Sequence, residues 1–147
     1  METENRHTLG QERAAQALSS IKGLENEEFK GKFASYVERL PAAIVMNGLG
    51  QAMASELAAS RLNRDKRGSE EKAHERLFNL IQEWLGKSKV YEKSSSDAKW
   101  LMKAIVEGGQ EDYVRAQAES LAYLDWLKMF SQAYLKGGED DSSDLQD

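Results

Sequence analysis

Two histidines, one glycine-rich run and several basic clusters are the groups in this chain whose types and spacing suggest chemistry. His74-Glu75 opens like the zinc motif H-E-x-x-H, in which two imidazoles one helical turn apart hold the metal and the glutamate acts as base. The second imidazole would have to be residue 78, which is Phe78, so no metal is expected. His7 lies in the N-terminal stretch, and His74 is expected to be an exposed residue on a helix surface. Gly48-Leu49-Gly50-Gln51 hints at a phosphate-cradling loop. It lacks the Gly-Lys-Ser/Thr of a P-loop, and Met53 stands where a dinucleotide fingerprint needs a third small residue. A helix break is the simpler reading. Glu70/Glu71 and Asp140/Asp141 are carboxylates adjacent in sequence. General acid–base work requires two carboxylates converging on one pocket with separated pKa values, and the sequence gives no such sign. No cysteine is present, which removes thiol catalysis, disulfides and thiolate–metal sites. The expectation is a chain without catalytic residues or cofactor.

Basic residues are the stronger candidates. Lys32 and Arg39 share a helical face at i and i+7. Arg61, Arg64, Lys66 and Arg67 gather on one loop, Lys99 and Lys103 sit at i and i+4, and Arg115 and Lys128 fall on the last helix. Cations along one side can follow a phosphate backbone without reading bases. The plainer alternative is a set of solvated faces offset by neighbouring acids, Arg39 by Glu38 and Lys103 by Glu107.

The elements that must position these residues are helices. Thr8 and Gln11 match a capping box, and Ala14, Ala17/Leu18, Ile21 and Leu24 follow at helical spacing. Asn26 is expected to cap a second helix with the stripe Phe29, Phe33, Tyr36/Val37 and Leu40. Pro41 is expected to end or kink it, Ala42–Met46 then forming a short helical piece closed by Asn47-Gly48. Leu49–Leu62 is Ala-rich. Ser69 is expected to cap a helix with the stripe Leu77, Leu80/Ile81 and Trp84/Leu85, stopped by Gly86, before a polar, mobile segment over Lys87–Ser96. Ser96 or Asp97 begins a helix to about Glu107, Gly108-Gly109 breaks it, and Gln110–Lys136 is the longest helix. Eleven of the 15 residues in Leu121–Leu135 are apolar or aromatic, while Asp125, Lys128, Gln132 and then Lys136 form one narrow stripe. Such a helix is central in its bundle or covered by a partner.

The chain has 147 residues, one domain's worth. Its 17 Ala, 16 Leu and single proline favour helix, and its 11 Val, Ile and Thr would barely furnish a sheet. The fold class is therefore all-α, a single-domain bundle of about six or seven helices. The expected organisation is a flexible N-terminus over 1–8, the bundle over 9–136 and a disordered acidic tail over 137–147. The formal charge of −5 is uneven: Glu139–Asp147 carries five acids and no base, and without it and Met1–Thr8 the body holds 19 bases against 18 acids. An acidic total thus leaves room for a polyanionic partner. No apolar run nears the roughly 18 residues of a membrane span, and METENRHTLGQ lacks a signal-peptide core. A cytoplasmic location is expected.

Two segments carry a family resemblance. Leu40–Ala54 reads LPAAIVMNGLGQAMA, and Ser120–Phe130 reads SLAYLDWLKMF after Tyr113-Val114-Arg115. From about Leu9 to Leu135 the chain resembles the small helical subunit of the type III-B CRISPR effector, the Cmr complex. The Asn47–Gln51 corner behind Leu40-Pro41 is the most specific part. The resemblance implies a non-catalytic subunit of an antiviral ribonucleoprotein that stacks beside the repeating backbone subunit and lines the channel of guide and target RNA. Its implied partners are that backbone subunit, the large polymerase-like subunit, neighbouring copies of itself, and the two RNAs. Lys32, Arg39, Arg61, Arg64, Arg115 and Lys128 would face phosphates, leaving sequence selection to base pairing. Pro41, Asn47, Gly48, Gln51 and Trp126 would serve the corner or a partner. Two alternatives stand beside this reading: a helical protein–protein adaptor without RNA contact, and a hydrolase centred on His74.

Overall fold

A computed structural model describes residues 6–93 and 96–136. The acidic tail expected over 137–147 and the first five residues of the expected flexible N-terminus lie outside the described residues. Six helices account for the described fold: α1 (Leu9–Lys22), α2 (Lys30–Asn47), α3 (Leu49–Ser60), α4 (Ser69–Lys87), α5 (Trp100–Glu107) and α6 (Gln110–Tyr134). The chain is an all-α bundle. Thr8 caps α1 as its sequence requires: its backbone N–H donates to Gln11 Oε1 at 2.7 Å, and its Oγ1 accepts from the Gln11 N–H at 3.0 Å.

Several expected boundaries move, each for a physical reason. α2 begins at Lys30 rather than after Asn26, because Leu24 and Phe29 are buried and the chain turns through short i→i−3 bonds to place them. Pro41 neither ends α2 nor splits it; the helix runs on to Asn47. Proline withholds one N–H from the Val37 carbonyl, a loss of about 3 kcal/mol in a helix interior. Phe33, Val37, Leu40 and Ile44 are all buried on one stripe, and keeping that stripe in register outweighs the missing bond. α4 is capped from within: Glu71 Oε1 accepts from the Gly68 N–H at 2.7 Å, making Ser69 the first helical residue and not the cap. Gly86 does not stop α4, which continues through Lys87. A Cβ at position 86 would stand 3.1 Å from the Trp100 ring, so this glycine admits a close approach. The segment after α4 is anchored through Tyr91, where a mobile polar stretch is expected; residues 94 and 95 of that stretch lie outside the described residues. Val90 and Tyr91 are buried, and both backbone N–H groups donate to the Leu85 carbonyl. α5 starts at Trp100, where Gln82 reaches from α4: its Oε1 accepts from the Leu101 N–H and its Nε2 donates to the Ala98 carbonyl, both at 2.9 Å.

α6 is central. It packs against α1, α2, α3 and α4, with Ala116, Ser120, Tyr123, Leu124, Leu127 and Ser131 buried. α6 also closes the corner between α2 and α3. Gly48 has φ +88°, where a Cβ would lie 2.8 Å from Tyr113 Oη. The first two N–H groups of α3 donate to Gln117 Oε1 and Tyr113 Oη, each at 3.0 Å. These α6 side chains cap α3 in place of a local residue.

Candidate nucleic-acid interface

Four of the six expected phosphate-facing residues come together where α2 crosses the α3–α4 hairpin. Lys32 Nζ lies 3.8 Å from Glu70 on the first turn of α4, and Arg61 Nε lies 3.9 Å from Glu71. Arg61 closes α3 in a left-handed conformation, φ 47°, which turns the chain toward Arg64. The Glu71 carboxyl is held below its ordinary pKa by the Gly68 N–H first, with the Arg61 and Arg64 charges adding to it. Arg67 completes this edge, pairing with Glu75 at 2.7 Å while Lys99 bonds the same carboxylate from the other side. Arg39 forms no ion pair among the described residues; its guanidinium lies 5.0 Å over the Tyr36 ring. Glu38, its expected counter-ion, is held instead by Lys136 and by Gln132 at 3.1 Å, and its pKa is lowered accordingly.

Arg115 and Lys128 do not join this group. Thirteen residues on one helix separate them by about 20 Å along the axis and about 140° around it. Arg115 is exposed and 3.6 Å from Asp112, beside Lys89 and Tyr91. Lys128 is exposed, and its charge acts on Glu38 on the other flank of α2.

The remaining motif residues divide between packing and surface. Pro41 is half-buried inside α2, and Gly48 makes the corner. Asn47 and Gln51 are exposed beside it. Trp126 is half-buried on α6, its ring 5.8 Å from Phe130, which in turn lies 6.4 Å from Tyr134.

His74 is not the exposed residue expected. Only 18% of its side chain is accessible; its ring stacks on Tyr36 at 3.8 Å and 10°, and its Nδ1 lies 2.9 Å from Glu56 Oε1. Burial pushes the Glu56 carboxyl above its ordinary pKa, with the His74 hydrogen bond and the His74 and Arg39 charges pulling it partly back. Tyr36, Arg39, Leu40, Ala43, Glu56 and His74 line a cavity of about 320 Å³. The sequence carries a signal for this pair. Glu56 follows Leu49, Ala52 and Met53 on the buried face of α3, and His74 precedes Leu77, Phe78 and Ile81 on that of α4. A polar residue on an apolar stripe has to find a partner. Among the described residues, no group of three or more His, Cys, Asp or Glu is placed to hold a metal ion.

Six helices about one core, with much of the basic surface gathered over one crossing, place the chain among small all-α bundle proteins. The family model described as CRISPR-associated protein (Cas_Cmr5) matches residues 9–134, from the first residue of α1 to the last of α6, and the chain belongs to that family. The CRISPR system Cmr subunit Cmr5 of Thermus thermophilus is 29% identical over 129 residues, covering 88% of this chain and 97% of that protein. The crystal structure of a CRISPR-associated Cmr5 family protein from Thermus thermophilus superposes with a TM-score of 0.67 at 26% identity, covering 88% of this chain and 99% of that one. The resemblance carried by Leu40–Ala54 and Ser120–Phe130 is thus borne out at the level of the family.

Proposed function

We propose that this chain is the small subunit of a cytoplasmic type III-B CRISPR (Cmr) effector, which lends cations to the RNA channel while other subunits carry out the chemistry. The observation that carries this reading is the gathering of Lys32, Arg39, Arg61 and Arg64 over the α2–α3–α4 crossing. Two of them, Lys32 and Arg61, sit near carboxylates at distances typical of loose, solvated pairs, from which a phosphate can draw the cation at little loss, and Arg64 acts on Glu71 through its charge alone. Arg39 lies outside any ion pair among the described residues, with the Glu56 charge acting on it from the same cavity. Arg115 and Lys128 would act as separate contacts, meaningful only if neighbouring copies bring them beside this face.

Protein contact has its own support. Val45, Met46, Val106 and Val114 are 60–80% exposed, and they flank the corner where α2, α3, α5 and α6 meet. In this reading that end faces a neighbouring copy or the repeating backbone subunit. Asn47 and Gln51 lie at the same end.

The combined Lys32→Glu, Arg39→Glu variant in the assembled complex is expected to weaken target RNA retention. It should also reduce the slope of log K against log salt by about two, one for each phosphate that is no longer neutralised. The measurement is RNA retention from 50 to 200 mM salt, the range over which phosphate contacts show most clearly, with helical content checked by circular dichroism. Retention and slope equal to wild type would favour an adaptor without RNA contact.

A further inference from the structure

We infer that the cavity walled by Tyr36, Arg39, Leu40, Ala43, Glu56 and His74 receives one unpaired base of a single-stranded RNA, Arg39 holding the adjoining phosphate. This rests on the RNA-contact reading above and goes beyond diffuse charge to a defined subsite. Four residues form a chain of mutual restraint. Glu56 Oε1 sets the His74 ring through Nδ1 at 2.9 Å, His74 stacks on Tyr36 at 3.8 Å, and Tyr36 carries the Arg39 guanidinium at 5.0 Å. Arg39 is therefore pre-oriented, and it gives up less side-chain entropy when it meets a ligand.

The cavity's composition selects the ligand class. Leu40 and Ala43 supply an apolar floor, and the stacked pair supplies an aromatic wall. About 320 Å³ lies at the small end of ligand sites, too little for a folded partner and enough for a planar base. Glu56 uses one oxygen on His74 and keeps the other as an acceptor, suited to the exocyclic amine of cytosine, adenine or guanine. A hydrogen bond formed in so poorly solvated a place is stronger than one at the surface. A cationic side chain fits less well, because Arg39 already offsets the Glu56 charge. Aromatic contact beside a cationic track is how proteins hold single strands without reading long sequences. Lys32, Arg61 and Arg64, gathered at Glu70 and Glu71 one helical turn before His74, would supply the cations of such a track.

The test is photocrosslinking of the full chain, alone and in the assembled complex, to a 5-iodocytidine RNA oligonucleotide, followed by peptide mapping. The expected adducts fall in Phe33–Arg39 or Ala73–Arg76. Ala43→Phe, which fills the floor without removing a polar group, should cut those adducts at least fivefold and weaken binding about three- to tenfold at unchanged helical content. Should that variant unfold, Tyr36→Leu carries the same expectation. Adducts confined to other peptides would overturn the inference and leave the RNA-contact reading standing. No adduct on this chain, even within the complex, would overturn both. A carbodiimide crosslink from Glu56 to a partner's lysine, with no RNA adduct at the cavity, would reassign the site to a protein and overturn the inference.

Discussion

Two clusters in this molecule are built from the same parts and end in opposite states. Beside α1, Trp84 stacks on Tyr123 at 5.3 Å and 17°, and Glu119 is held by Arg13 through two bonds and by the Trp84 indole N–H at 2.9 Å. Beside α3, Tyr36 stacks on His74, while Glu56 has one hydrogen bond from that ring and Arg39 stays over the tyrosine. Each cluster combines an aromatic pair, a carboxylate and an arginine. In the first, three donors hold the Glu119 carboxyl below its ordinary pKa, the Arg13 bonds foremost. In the second, desolvation wins and Glu56 is pushed up. Depth of burial and number of donors together decide the sign: burial without enough partners disfavours the charged form. A saturated cluster can only stabilise, whereas one with a spare acceptor and a cation outside any ion pair among the described residues has capacity for a ligand.

The largest effect is expected at the saturated cluster. Glu119→Ala strands the half-buried Arg13 and the Trp84 N–H, at about 2 kcal/mol once solvent access to this pair is counted, or roughly 4–8 °C in Tm for a chain of this size. Its pH signature has a definite sign. Because the folded pKa of Glu119 is lowered, its contribution is present above the ordinary carboxylate range and fades as pH falls through the folded value. Thermal melts from about pH 7 down to about pH 3 should show Glu119→Gln losing less stability on acidification than wild type. An equal loss would mean that Glu119 is no tighter than a surface carboxylate.

Glu56→Gln should behave in the reverse sense and by less. The raised folded pKa means that its contribution is complete below the ordinary carboxylate range and declines as pH rises. The amide oxygen can still accept from His74, so the variant should lie within about 1 kcal/mol of wild type. It should gain relative to wild type as pH rises above the ordinary carboxylate range in the same melts. A fall of about 2 kcal/mol at neutral pH would place Glu56 in the same class as Glu119 and erase the contrast. The smallest effect is expected for Arg115→Ala. This exposed residue pairs with Asp112 across one helical turn, and its removal should change the stability read by thermal melting by no more than about 0.5 kcal/mol.

Much of the helical layout is legible from neighbouring residues. Thr8 with Gln11, the Gly108-Gly109 break and the run from Gln110 all reflect interactions within four residues of chain, which a sequence displays directly. The expectation that α2 ends at Pro41 fails because the local penalty is visible and the core stripe that overrides it is not. The expectation at His74 fails for a related reason. Exposure is a property of what lies opposite, and Tyr36 and Glu56 arrive from two other helices.

Composition and helical periodicity thus determined the class, the approximate helices and a roster of cations, because helix hydrogen bonds join near neighbours. Tertiary structure alone decided which carboxylate meets which base. Arg13 finds Glu119 across 106 residues and His74 finds Glu56 across 18, while Glu38 passes over its neighbour Arg39 for Lys136, 98 residues away. Coulomb and desolvation energies depend on distance in space and on local burial, and the chain sets both only once its helices have packed.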